Sequence, residues 1–280
     1  MKVLVTGVNG QLGYDIVKEL EKRGHQAVGV DRKEMDLTST EQIKECIENV
    51  NPEAIIHCAA YTAVDKAEDE EELCTRVNAI ATKEIAEHAK VLDIPMIYIS
   101  TDYVFDGTKN GEYTEDDIPN PINVYGKTKH QGEVYVQEIL EKYYIVRISW
   151  VFGENGNNFI DTMLRLSKER DSLNVINDQV GSPTYTKDLA VLLVDMIQAD
   201  KYGIYHATNE RYCTWYEFAK EIFKISNIDI KVNPINTSEY PTKAKRPMNS
   251  KMNKDKLNIN GFIKLRAWKD ALKDYIETIN

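Results

Sequence analysis

The chain has 280 residues, 42% of them apolar and 29% charged, which allows one large domain or two small ones and a core built without disulfide or metal staples. Lys and Arg number 35 against 45 Asp and Glu, and the formal charge of −10 repels nucleic acid and anionic lipid, so neither is expected as a partner. No run of eighteen apolar residues exists to span a membrane, and the N-terminus turns to glycines without the apolar core or cleavage site of a signal peptide. Four scattered cysteines (Cys46, Cys58, Cys74, Cys213) contain no CxxC pair and read as small hydrophobes in a reducing, cytoplasmic setting. No trio of His, Cys or carboxylates has ligand spacing, so no metal is expected. Residues 68–72 (EDEEE) read as a solvated helix start favoured by the helix dipole. The basic stretch 243–256 reads as a loop with a few anion contacts.

The first half alternates short apolar strands with helices. Strands are predicted at residues 2–6, 27–30, 54–58, 95–100 and 144–149. Helices are predicted at 11–23, from a cap at Thr38 or Ser39 through Val50, at 70–92 and at about 123–141. That pattern means right-handed crossovers and a parallel sheet covered on both faces, with its ligand where strand order reverses. After residue 150 the pattern loosens into helices at 157–170, 187–199, 214–226 and 267–279, with strands at 173–176, 204–207 and 230–235. The expectation is a doubly wound, Rossmann-like α/β domain over 1–152, to which about 184–208 returns, and a smaller, partly interleaved substrate domain from 153–183 and 209–280.

The first strand runs into Thr6-Gly7-Val8-Asn9-Gly10-Gln11-Leu12-Gly13. Gly7 suits the tight turn, Gly10 a close approach to pyrophosphate, and Gly13 close packing of helix on sheet, while the helix N-terminus offers free N–H groups to phosphate. The strand–turn–helix setting makes this a dinucleotide cradle. Asp31 closes the second strand eighteen residues after Gly13, placed to accept from adenine ribose hydroxyls. It favours NADH, and the adjacent Arg32 allows NADPH to be tolerated.

Tyr125-Gly126-Lys127-Thr128-Lys129 opens the fourth of these helices, so Tyr125 and Lys129 share a face one turn apart. A free phenol titrates near 10, and a neighbouring ammonium is expected to lower that value and let Tyr125 protonate a carbonyl oxygen as hydride adds to the carbon. Thr101, within Ser100-Thr101-Asp102 at a strand end, can donate to the same oxygen. His57 reads as structural.

These motifs, with residues 58–68 (CAAYTAVDKAE), 100–107 (STDYVFDG), 157–159 (NNF), 175–184 (VINDQVGSPT) and Arg246-Pro247 with Ser250, resemble the extended short-chain dehydrogenase/reductase superfamily, and within it the enzymes acting on nucleotide sugars. The resemblance covers essentially the whole chain. It implies NAD(P)H-dependent reduction of the 4-keto group of dTDP-4-dehydro-L-rhamnose. It also implies a cofactor site of Gly7, Asn9, Gly10, Gln11, Leu12, Gly13, Asp31, Arg32, Asp36, Leu37, Ala59, Ala60, Tyr61, Asn78 and Ser100 with the catalytic Thr101, Tyr125 and Lys129. Thr101, Asp102, Tyr103, Trp150, Asn158, Phe159, Gln179 and Arg246 would hold the nucleotide sugar, and a homodimer is compatible with the family. A 4-epimerase or 4,6-dehydratase is the nearest alternative, but the dehydratase glutamate after Thr-Asp is here Tyr103. A non-catalytic subunit resembling that of methionine adenosyltransferases would bind dinucleotide without turnover.

Overall fold

The computed structural model describes residues 1–279. Five strands, β1 (Lys2–Thr6), β2 (Gln26–Val30), β3 (Ala54–His57), β4 (Met96–Thr101) and β5 (Tyr143–Ile148), join Gly203–His206 in one six-stranded sheet. The order is Gly203–His206, β5, β4, β3, β1, β2, and every pairing is parallel. The sheet is therefore doubly wound and Rossmann-like. From β1 the chain moves outward to β2 and then returns to the other side of β1 as β3. That reversal opens a crevice at the carboxyl ends of β1 and β3.

Both sheet faces are covered, which is why β3 and β4 are buried along their length rather than alternating. On one face helices Gln11–Lys22 and Thr186–Met196 bury Leu12, Ile16, Leu20, Leu189 and Leu193 against Val3, Val5 and Val146. On the other, helices Thr40–Val50, Ala81–Val91 and Val124–Ile139 pack on Leu4, Ile55, Tyr98 and Ile145. A separate core of Phe152, Ile160, Tyr185, Phe218, Ile222, Trp268 and Tyr275 joins helices Phe159–Leu166, Trp215–Ile225 and Trp268–Ile279 to a small parallel pair, Ser172–Ile176 with Lys231–Ile235.

Two local expectations change. The helix predicted over 70–92 runs from Glu71 to Val91 but holds a π turn, Arg76–Ile80, between Glu71–Thr75 and Ala81–Val91, and a separate short helix, Val64–Ala67, precedes it. Apolar periodicity carries straight through one inserted residue, so the pattern could not reveal the π turn. The consequence is that Asn78 points inward, where its amide accepts from the Tyr61 N–H (2.8 Å) and donates to the Tyr61 carbonyl (3.1 Å). Glu68, predicted as solvated, accepts from the Val124 N–H at 2.9 Å and so caps the helix that carries Tyr125. Among the described residues no helix is long and apolar enough to cross a membrane, and no group of three His, Cys, Asp or Glu is arranged to hold a metal.

Candidate active site

The turn after β1 is built around two contacts that exclude side chains. Gly7 has φ +72°, and a Cβ there would lie 2.9 Å from the Ala59 backbone; at Gly13 a Cβ would lie 2.3 Å from the Gly7 carbonyl oxygen. The first helix begins at Gly10 with no side-chain cap, so its leading N–H groups stay free for an anion. The Thr6 hydroxyl braces the opposite lip, accepting from the Cys58 and Ala59 N–H groups at 3.1 and 3.0 Å. With both acceptor positions filled, its proton goes to His57 Nδ1 at 2.7 Å, which leaves the Nε2–H to face Thr82 Oγ1 at 3.2 Å. Burial, then the charge of Lys129, holds the His57 imidazole down at about 3, so His57 is a neutral structural link.

One cavity of about 290 Å³ runs over the end of β2, lined by Asp31, Arg32, Asp36, Leu37, Ala59, Ala60 and Tyr61. The Asp31 carboxylate accepts from the N–H groups of Asn9 (3.0 Å) and Arg32 (2.7 Å), while the exposed Arg32 side chain reaches only Asp36, at 3.4 Å. A second cavity, of about 590 Å³, continues from Gly7, Gly10, Gln11, Leu12 and Gly13 to Ser100, Thr101, Tyr125 and Lys129. These features fit a dinucleotide: a side-chain-free turn, an uncapped helix N-terminus, and a carboxylate at the far end.

Tyr125 and Lys129 open the helix Val124–Ile139, whose cap is Asn123 accepting from the Gly126 N–H at 2.7 Å. The same Asn123 donates to the Lys245 carbonyl at 2.7 Å, fastening the 240–250 loop to the helix. Lys129 is buried, donates to the Ile99 carbonyl at 2.7 Å and lies 4.0 Å over the Tyr98 ring. Burial lowers its ammonium to about 7, against the pull of Glu133, which is buried in the next turn. Glu133 in turn accepts from Ser100 Oγ (2.6 Å) and from Arg147 Nε and Nη2 (both 2.8 Å).

The expected lowering of the Tyr125 phenol by Lys129 is corrected here. Burial is the dominant influence and pushes the phenol well above its ordinary value, the Thr101 hydroxyl works in the opposite direction, and Asp102 and Tyr103 add to the rise. The ammonium is engaged by Ile99 and Tyr98 instead. The phenol therefore keeps its proton, the state a proton donor requires. Asp102 is buried between Ser250 Oγ, donating at 2.5 Å, and Thr101 Oγ1, donating at 3.0 Å; burial raises its carboxyl to about 6.

A third cavity, of about 640 Å³, lies beyond, lined by Phe159, Gln179, Tyr240, Thr242, Arg246 and Pro247 among others. Asp102, Tyr103, Trp150 and Trp215 line both this cavity and the Tyr125 cavity, so they frame the passage between them. Arg246 pairs with Asp65 at 2.7 Å. Asn158 does not join the predicted set. It caps the helix Phe159–Leu166 by accepting from the Ile160 and Asp161 N–H groups, and its amide donates to the Gly153 carbonyl and the Tyr275 hydroxyl. It lines neither cavity, and only a weak 3.4 Å contact to Gln11 ties it to the cradle. Asn78 acts from behind by holding Tyr61, and Ser100 lines the Tyr125 cavity while its hydroxyl bonds Glu133. Sequence reasoning missed Asp65, Glu68, Trp215 and the placement of Ser250 on Asp102. Their partners lie far away in the chain, and only the apolar-aromatic opening Thr214-Trp215-Tyr216 offered any local signal.

A family model described as the RmlD substrate binding domain matches residues 1–280. A dTDP-4-dehydrorhamnose reductase of Aggregatibacter actinomycetemcomitans is 42% identical over 98% of this chain and 97% of its own length. The crystal structure of a dTDP-4-dehydrorhamnose reductase from Clostridium acetobutylicum superposes with a TM-score of 0.97 at 43% identity, covering 100% of this chain and 99% of that one. The corresponding enzyme of Bacillus anthracis, solved in complex with NADP, gives 0.96 at 42% identity over 99% of both chains. With an uncapped glycine cradle feeding a Thr-Tyr-Lys cavity, and these matches over its whole length, the chain belongs to the RmlD family, the family of the dTDP-4-dehydrorhamnose reductases.

Proposed function

We propose that the chain reduces the 4-keto group of dTDP-4-dehydro-L-rhamnose to give dTDP-L-rhamnose, using NAD(P)H. The observation that carries this reading is the joining of Thr101, Tyr125 and Lys129 in one cavity, with the glycine cradle at one end and an aromatic-framed passage to a second cavity at the other. Residues 1–152 with about 184–208 act as the dinucleotide half, and 153–183 with 209–280 as the nucleotide-sugar half.

Gly7, Gly10, Gln11 and Gly13 hold the pyrophosphate at the helix N-terminus, and Asp31 receives the adenine ribose. When bound, the reduced nicotinamide supplies hydride to the sugar C4. Thr101 orients the carbonyl, and Tyr125, kept protonated by burial, gives its proton to the oxygen as negative charge develops there. Among the described residues lining this cavity Lys129 is the only cation, so the phenolate left on Tyr125 has its ammonium as the nearest positive charge on the same helix face. Asp102 and Tyr103 flank the sugar, and Trp150 presents an aromatic face to it. Arg246, Gln179 and Phe159 receive the nucleotide end.

Asp31 and the outward position of Arg32 support NADH as the preferred cofactor with NADPH tolerated; equal or higher kcat/KM with NADPH would overturn that preference. We place the protein in the cytoplasm, as a homodimer that light scattering would identify. The test of the reading is to mix the purified chain with NADH and dTDP-4-dehydro-L-rhamnose. Stoichiometric NADH oxidation giving dTDP-L-rhamnose is expected; sugar interconversion without net oxidation would mark an epimerase or dehydratase, and no turnover a non-catalytic subunit.

A further inference from the structure

Trp150 has φ +49°, a left-handed backbone that a bulky aromatic residue rarely adopts. The surrounding structure imposes it from two sides. The Trp215 ring stacks on the Trp150 ring with centroids 3.7 Å apart and planes 17° from parallel. Gly181 lies against the ring as well: a Cβ there would meet Trp150 Cε2 and Cζ2 at 2.9 Å. These two residues come from one unit, because the strand pieces Val180–Gly181 and Cys213–Thr214 pair antiparallel, and Trp215 follows directly. The backbone is held too: the Trp150 carbonyl accepts from the Thr184 N–H at 3.1 Å, and the preceding Ser149 Oγ donates to the Ser182 carbonyl at 2.7 Å. Strain over-determined in this way, at the wall shared by two cavities, is an arrangement that fixes a ligand-facing ring.

We propose that Trp215 and Gly181 are positioning residues for the hexose: together they clamp Trp150 in its left-handed backbone so that its ring forms one side of the passage between the Tyr125 cavity and the Arg246 cavity. The ligand class is a pyranose carried on a nucleoside diphosphate, long enough to occupy both cavities at once. The inference rests on the reductase reading and adds to it two residues that touch Trp150 from outside the catalytic group. Phe159 and Phe218 steady Trp215 from behind, with ring centroids 4.7 and 6.4 Å away. A small residue at 181 leaves room for the ring, and a flat one at 215 sets its plane.

The test compares the full chain with Trp215→Leu, Trp215→Phe and Gly181→Ala. Gly181→Ala leaves the aromatic core intact and pushes chiefly on the Trp150 ring, at 2.9 Å, with the Ser250 side chain next at 3.3 Å, so it remains informative should Trp215→Leu fold poorly. Four quantities are read: NADH affinity, dTDP affinity, kcat/KM with dTDP-4-dehydro-L-rhamnose, and the circular dichroism couplet of two stacked indoles. For Trp215→Leu and Gly181→Ala we expect kcat/KM to fall at least about thirtyfold; in Gly181→Ala, whose residue lines neither cavity, NADH and dTDP affinities stay within about threefold. The couplet should disappear in Trp215→Leu and weaken in Gly181→Ala. Trp215→Phe, which keeps a flat ring, should stay within about fivefold of the parent. Activity within about threefold of the parent in both Trp215→Leu and Gly181→Ala would overturn the proposal. So would a parallel loss of dTDP affinity in Gly181→Ala, which would mean general collapse of the nucleotide cavity. A parent chain that never oxidises NADH would be the failure of the reductase reading, not of the clamp.

Discussion

Replacing Glu133 with Gln perturbs the molecule at two levels that can be separated. Its carboxylate is completely buried and serves Arg147, itself 1% exposed, through two 2.8 Å bonds, with Ser100 Oγ as a third donor. Removing one partner of such a pair leaves an uncompensated buried charge and costs about 3–5 kcal/mol. For a chain of 280 residues the unfolding entropy is about 0.6 kcal/mol per degree, from roughly 2.1 cal/mol/K per residue, so Tm should fall by about 5–8 °C in a calorimeter. The second level is electrostatic. Glu133 supports the charge of Lys129, whose ammonium sits at about 7. Without it the Lys129 value falls further, and because Lys129 is charged only below that value, the alkaline decline of kcat/KM should move to lower pH. A double change, Glu133→Leu with Arg147→Met, should recover much of the stability while keeping the displaced pH profile. A Tm change under about 1 °C, or a pH profile unchanged in both variants, would refute the reasoning.

Gly13→Ala drives a methyl to within 2.3 Å of the Gly7 carbonyl oxygen, so NADH affinity should fall by at least about tenfold, read by nicotinamide fluorescence; wild-type affinity would show that the turn is not the pyrophosphate cradle. Stability should also depend on acid. Burial holds His57 and His206 near 3 in the folded chain against 6.5 unfolded, so below 6.5 the unfolded chain gains protons that the folded one refuses, and stability falls as pH falls. Each histidine contributes a slope of about 1.4 kcal/mol per pH unit. Asp102 acts in the opposite sense: its folded value of about 6 lies above the ordinary 3.8, so the folded chain binds that proton first and offsets one histidine between 6 and 3.8. These three groups together contribute a loss of about 1.4 kcal/mol per unit from pH 6 to 4, which denaturant titrations of the parent against His57→Asn and His206→Asn variants would isolate; variants with the parent's pH dependence would contradict it.

The parts of the site that lie on one short segment were legible. The cradle needs glycines at a strand–helix junction, and Tyr125 with Lys129 needs only helical spacing. Asp31 follows from strand-end position. What the sequence hid depends on contacts between distant segments. Trp215 matters because it stacks on Trp150, 65 positions earlier, and Ser250 because it bonds Asp102. The π turn is invisible to periodicity but decides where Asn78 points. Lys129 shows the limit of motif reasoning: spacing put it beside Tyr125, while burial and the Ile99 carbonyl determine what its charge does. Asn158 shows the converse, a polar residue in a family-like motif that the local helix takes as its cap.

The most direct test of the central claim is Tyr125→Phe, assayed for NADH oxidation with dTDP-4-dehydro-L-rhamnose and for NADH affinity in parallel. The account predicts that turnover falls by about 10²–10⁴-fold while NADH affinity stays within about twofold, since only the proton donor is removed. Turnover retained in that variant would mean that some other group gives the proton.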